Sequence, residues 1–236
     1  MFDADTKTAP EGEARLTLCG EKLNALSDGA LFWPDRRTLI VADLHFEKGS
    51  SYAARGVHLP PYDTSATLTR LETLIAWLKP AQVIALGDSF HDGGAKARIA
   101  PGDAARLRNL TRSADWIWIA GNHDPLPDGF GGTIDEEVRL GPLTFRHEPA
   151  PAPATGEIAG HLHPCAVVRV RGRRLRRRCF AADGTRIVLP AFGAYTGGLN
   201  VCDPAYAELF AGRAFHAWMM GKDQVVPVAA RRLLPD

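Results

Sequence analysis

Five short, strand-like apolar runs in this chain each stop at a residue able to bind a divalent cation. Thr38 to Ala42 stops at Asp43-Leu44-His45, and Gln82 to Leu86 is followed by Gly87-Asp88. Asp115 to Ala120 leads into Gly121-Asn122-His123-Asp124, Leu143 to Arg146 into His147, and Glu157 to Ala159 into Gly160-His161-Leu162-His163. Runs of this length between turn residues read as buried strands, which deliver the residue that follows at their carboxyl ends. Asp, Asn and His are the oxygen and nitrogen donors that suit borderline divalent metals. Seven such donors, Asp43, His45, Asp88, Asn122, His147, His161 and His163, suit two cations better than one.

The 236 residues, 45% of them hydrophobic, suffice for one domain with a substantial core, expected over 1–236 with a polar leader over 1–14. A net charge of +1 implies neither nucleic-acid nor membrane binding from composition alone. Cys19, Cys165, Cys179 and Cys202 form no Cys-x-x-Cys pair and read as reduced thiols. No stretch approaches the roughly 20 apolar residues of a membrane helix, so a soluble, cytoplasmic protein without a membrane partner is expected.

Arg15 to Cys19, Lys22 to Leu26 and Ala30 to Trp33 predict an antiparallel meander. Asp63 to Lys79 carries Leu68, Leu71, Leu74, Ile75 and Leu78 at helical spacing, with Asp63 or Thr64 as the N-cap, and a second helix is expected from about Pro101. Strands and helices therefore alternate, the pattern of an α/β fold. Beyond Phe130 the runs Thr133 to Leu140, Leu143 to Arg146, Glu157 to Ala159, Ala166 to Arg171 and Arg174 to Phe180 make the second half mostly β. The EPAPAPATG stretch after His147 reads as an exposed extended loop, and Trp77, Trp116 and Trp118 as core or sheet-face residues.

Asp43 and His45 stand one residue apart, so an extended backbone points both to one side, where a single metal can be gripped by both. Asp88 comes from a separate strand and is expected to bridge, because its two oxygens can each bind one cation. The one-residue spacing of His161 and His163 lets them address different metals. A pair of cations suits phosphate chemistry, since it orients a phosphate and stabilises the charge of an in-line displacement.

This ordered series of motifs resembles the calcineurin-like metallophosphoesterase superfamily over residues 39 to about 164. The resemblance implies a four-layer α/β/β/α sandwich with two stacked mixed sheets. It implies that Asp43, His45, Asp88 and His163 hold one metal, and Asp88, Asn122, His147 and His161 the other. His123 then matches the general acid or phosphate-contacting histidine, with Asn122 beside it and Asp124 orienting its ring.

Further features are similar to the bacterial ligase-associated DNA-damage-response metallophosphoesterases. They are Ala42 to Gly49, Gly87-Asp88-Ser89-Phe90-His91, the His147-Glu148-Pro149 and His163-Pro164 contexts, and Leu189 to Leu199. That likeness implies a manganese-dependent phosphodiesterase nicking single-stranded DNA, associated with a DNA ligase, an exonuclease and a helicase, and it sets His91 against the phosphodiester. The donors by themselves also admit iron, cobalt or zinc. Two other readings stand beside it: a phosphatase or phosphodiesterase of nucleotides or small molecules, and a non-catalytic subunit of a repair complex. The run Arg171 to Arg178 reads either as a DNA-contacting hairpin or as a hairpin kept soluble by its charge. Gly193 to Leu199 lacks the P-loop pattern and reads either as a tight crossing or as a border of the active site.

Overall fold

The structure, a computed structural model, describes residues 13–57, 59–124, 128–210, 212 and 214–236. The leader expected over 1–14 lies outside them apart from Glu13 and Ala14, and Ala14 already belongs to the first strand. Seven strands in chain order form one sheet among the described residues: β1 (Ala14–Leu18), β2 (Glu21–Ala25), β3 (Leu31–Trp33), β4 (Thr38–Val41), β5 (Gln82–Leu86), β6 (Asp115–Ile119) and β7 (Thr133–Asp135). The first three pair antiparallel as the expected meander and join β4, after which β4 to β7 run parallel. Solvent-edge β1 alternates buried and exposed residues, whereas β4 is buried throughout because both its faces are covered.

The helices are α1 (Lys48–Ala54), α2 (Asp63–Leu78), α3 (Ala95–Arg98), α4 (Pro101–Ser113) and α5 (Pro204–Phe210). The expected α2 forms, but its N-cap is Tyr62 and no side chain caps it. Asp63 is instead inside the helix, where its carboxylate accepts the Gly49 N–H at 2.9 Å. Lys79, at φ 46°, ends the helix just before Pro80. Trp77 is not a core residue and is 49% exposed. It stands two positions after Ile75, roughly 200° around the helix from the buried stripe.

The second sheet contains β8 (Glu137–Leu140), β9 (Leu143–Arg146), β10 (Glu157–Ala159), β11 (Pro164–Val170), β12 (Arg173–Ala182), β13 (Arg186–Val188), β14 (Leu199–Asn200), β15 (His216–Met220) and β16 (Val225–Ala229). Its order is β14-β11-β12-β13-β10-β9-β8, with β15 added on β12 and β16 on β15. The run Thr133 to Leu140, expected as one strand, is divided at Glu136. Ile117 pairs with Thr133 in the first sheet, while Glu137 pairs with Arg146 in the second. No glycine or proline marks that crossing in the sequence.

Three apolar cores separate four layers. Leu68, Leu71, Leu107 and Leu110 of α2 and α4 pack on Val41, Val83 and Trp118 of the first sheet. Between the sheets, Ile40, Ile84 and Ile117 meet Phe145, Ile158 and Phe180. Tyr206, Leu209 and Phe210 of α5 cover the far face of the second sheet against Ala166, Ala181 and Ala217. The architecture is thus an α/β/β/α sandwich of two mixed sheets, whose middle layer aligns the ends of β4, β5 and β6 with those of β9 and β10.

Ile84 is fully buried between the sheets on the strand that carries Asp88. Ile84→Ala is expected to cost about 2–5 kcal/mol. Urea unfolding should show the midpoint falling with the slope unchanged.

Candidate metal centre

The donors sit just past the strand ends, and their backbone differs from the extended form expected. Asp43, His45, Asp88, His161 and His163 have φ values of 53°, 44°, 45°, 67° and 46°, all left-handed. Such residues cost on the order of 1–3 kcal/mol each and persist only where the surroundings fix them. Here the first two motifs fix one another: His45 N–H donates to Asp88 O at 2.9 Å, Phe46 N–H to Ser89 O at 2.8 Å, and His91 N–H to Phe46 O at 3.0 Å.

Two clusters of donors result. In one, His45 Nε2 and His163 Nε2 stand 3.3 Å apart and Asp43 Oδ1 lies 3.3 Å from His163 Nε2. In the other, His147 Nε2 lies 2.8 Å from Asn122 Oδ1, 3.2 Å from His161 Nδ1 and 3.4 Å from Asp88 Oδ1. The remaining Asp88 oxygen, Oδ2, faces the first cluster, 3.9 Å from His45 Nε2. Asp43, His45 and His163 thus form one potential metal-binding group and Asp88, His147 and His161 a second, which fits two divalent cations. All seven donors expected from the sequence are brought together.

The chemistry of these donors fits cations rather than a hydrogen-bonded polar core. His147 is buried, and its Nδ1 lies 2.9 Å from Leu86 O, an oxygen that can only accept. The ring proton therefore sits on Nδ1, and Nε2 turns a lone pair toward the Asn122 amide oxygen. Two lone pairs at 2.8 Å repel unless a positive charge lies between them. Burial, reinforced by His163, holds the His45 imidazole down at about 2, and burial with the nearby His147 lowers His161. Both rings are thereby kept neutral with free lone pairs, the form a metal requires. Asp43, fully buried, accepts the His161 N–H at 3.0 Å and so ties a first-sheet donor to a second-sheet one.

The glycines of the motifs provide room. A Cβ on Gly87 would fall 2.4 Å from the His147 ring, one on Gly121 2.3 Å from Asp88 Oδ1, and one on Gly160 2.8 Å from Asp43 Oδ2. The late segment at 190–198 is a tight crossing that also borders the centre. Phe192 N–H donates to Ala42 O at 2.8 Å and Gly193 N–H to Asp43 O at 3.1 Å, while a Cβ on Gly198 would fall 2.6 Å from His163 O. Arg70 holds this segment by a hydrogen bond to Phe192 O, with its guanidinium 4.4 Å from the Phe192 ring centroid.

Sequence reasoning missed a buried pair that fixes the loop after His147. Arg186, 1% exposed, donates to Ala150 O at 2.9 Å, and Glu157 accepts the Ala150 N–H at 2.8 Å. The only signal was an arginine and a glutamate in otherwise apolar strands. The arginine run forms the β11–β12 hairpin, where Arg176 donates to Gly198 O at 2.7 Å and to Asp236 Oδ1 at 3.2 Å, and Arg178 to Ala191 O at 2.8 Å.

His123 rims the centre. Its N–H donates to Asp88 Oδ1 at 2.9 Å, its Nε2 lies 3.9 Å from Asp88 Oδ2, and its side chain is 45% exposed. The His91 ring stacks on it with centroids 5.5 Å apart at 15°, and His91 Nδ1 is 3.5 Å from His45 Nδ1. Asp124, expected to orient the His123 ring, has no hydrogen bond to it. Its carboxylate is buried, accepts the Phe90 N–H at 2.9 Å, and is pushed up to about 7 by that burial. A buried carboxylate needs the nearest donors, and these are the amides of the Asp88 turn rather than an exposed ring.

Among the described residues no helix is long and apolar enough to cross a membrane. No curated protein sequence matches the chain. Among solved structures, the Pseudomonas putida nuclease MPE is 34% identical, with a TM-score of 0.69 over 92% of this chain and 100% of that one. The E. coli phosphoesterase Yfce is 15% identical over 81% of this chain and 98% of that one, with a TM-score of 0.41, too low to carry weight. The profile of the calcineurin-like phosphoesterase family matches residues 36–180, which include all seven donors and His123. With its sandwich, its two donor clusters and this match, the chain belongs to the calcineurin-like phosphoesterases and is a metal-dependent phosphoester hydrolase.

Proposed function

We propose that this enzyme is a dinuclear phosphodiesterase that cleaves single-stranded DNA in repair, with manganese as its metal. The observation that carries the reading is the pair of facing donor clusters with one oxygen of Asp88 turned to each. Asp43, His45, Asp88 and His163 would hold one cation, and Asp88, Asn122, His147 and His161 the other. When bound, such a pair supplies Lewis-acid stabilisation of the phosphoryl oxygens and lowers the pKa of water at the site. A set of imidazole, carboxylate and amide donors without thiolate admits manganese, and the motif resemblance supports it over iron, cobalt or zinc. A nucleic acid as substrate is supported by the likeness to the Pseudomonas putida nuclease, and DNA by the motif resemblance. The motif resemblance supports repair and an association with a ligase, an exonuclease and a helicase.

The chain's own residues do the proton work and the positioning. His123 reaches over the rim from beside Asp88, where its Nε2 can hand a proton to the leaving oxygen. Asn122 and His91 flank it and contact the phosphodiester, with His91 stacked against the His123 ring so that both present one edge. Asp124 is a positioning residue in this scheme. It holds the Phe90 amide and so keeps the turn between Asp88 and His91 in shape.

Chelation is expected to abolish cleavage, and manganese to restore it with two ions per chain by elemental analysis. Gly87→Ala pushes a methyl into the His147 ring and should lower that stoichiometry toward one while the fold persists by circular dichroism; two ions retained would remove His147 from the ligand set. His123→Ala is expected to cut turnover about 10²- to 10⁴-fold with metal content unchanged. Assays of the wild type should show a linear single strand of DNA cleaved in preference to a nucleotide monoester or a cyclic nucleotide. Hydrolysis of the small substrates alone would refute the nuclease reading.

A further inference from the structure

Helix α1 is only seven residues long, yet it is fastened by far more buried polar structure than its size requires. Glu47, left-handed at φ 66° and 7% exposed, accepts hydroxyl protons from Thr64 at 2.9 Å and from Ser50 at 2.7 Å. Its own N–H donates to Thr64 Oγ1 at 2.9 Å. Buried Asp63 accepts the Gly49 N–H, and a Cβ on Gly49 would fall 2.7 Å from its carboxylate. Arg98 links Ser50 at 3.0 Å to Asp92 at 2.6 Å, joining α1 to the turn that carries His91. None of these groups reaches the metal donors, so this network serves to hold α1 itself in place.

What α1 presents from that fixed position is a cation and an aromatic ring at i and i+4, Lys48 and Tyr52, with a second cation, the exposed Arg55, at its C-cap. The i, i+4 spacing sets Lys48 and Tyr52 along one side of the helix. Tyr52 is 36% exposed, and its ring lies 5.9 Å from the His91 ring at 30°. His91 in turn stacks on His123, so an aromatic row runs from α1 to the rim of the metal centre.

We propose that the Lys48–Tyr52 face of α1, with Arg55 at its end, is a landing platform for a single nucleic-acid strand. Tyr52 stacks on the base beside the phosphodiester that enters the centre, and Lys48 and Arg55 take flanking phosphates. Stacked bases with a tracked backbone are how single strands are bound without sequence preference. This inference rests on the reading of the enzyme as a nuclease.

The test uses the manganese-loaded full chain and a short single strand carrying 2-aminopurine. Quenching is read by stopped flow before turnover, and kcat and KM are read on the same strand. Tyr52→Ala is expected to remove the quenching and raise KM about tenfold, the size of one lost base–aromatic stack, with kcat little changed. Tyr52→Phe should keep both, and inhibition by inorganic phosphate, which has no base, should stay within about twofold of wild type in each variant. Lys48→Ala and Arg55→Ala should each flatten the slope of log affinity against log salt by about 0.7. Wild-type quenching and KM in Tyr52→Ala, or an equal loss toward inorganic phosphate, would overturn the platform while leaving the nuclease reading intact. A wild-type enzyme that neither binds nor cleaves the strand overturns the nuclease reading and the platform with it.

Discussion

The Leu86 carbonyl fixes the proton on His147, and much of this centre depends on that hydrogen bond. It crosses from the first sheet to the second and leaves Nε2 with a lone pair facing the Asn122 oxygen at 2.8 Å. An arrangement of acceptor against acceptor is unfavourable unless a cation lies among them, so the fold must hold it in place. The Asp43 contact to the His161 amide is the second tie across the sheets. Between these two ties the donors cannot separate without parting the inter-sheet core of Ile40, Ile84, Phe145 and Ile158.

The centre was legible because each donor motif closely follows a short apolar run, and such runs announce buried strands. Apolar runs ending at Asp43, Asp88, Asn122, His147 and His161 announced both the strands and the site. The left-handed turns that aim the side chains were not legible, because the modest preference of Asp and His for that backbone does not single out particular positions. Nor was the role of Asp124, since adjacency to His123 suggested a partner while burial sent its carboxylate to Phe90. The crossing at Glu136 left only a faint trace: one polar residue breaks the alternation of the run there, and it does not say which neighbour each half pairs with.

Short helices were the other blind spot. α1 has a glycine near its start and no apolar periodicity, so nothing local predicts it. It forms because Glu47, Asp63 and Thr64 give its first turn buried partners. The pair Arg186–Glu157 works in the same way on the loop after His147. In both places polar residues in apolar surroundings fix a loop that carries or borders the centre, and their function can be seen only once the partner far away in sequence is known.

The segment at 190–198 lies beyond the stretch that the family profile matches, yet it hydrogen-bonds to the backbone of Ala42 and Asp43 and lies against His163. Every donor has left the ribosome before this wedge does. A nascent chain that has reached His163 therefore holds all the chemistry but lacks the strut between its first and last ligand loops. What the last part of the chain adds is thus mechanical rather than chemical: backbone contacts that tie the loop of Asp43 to that of His163.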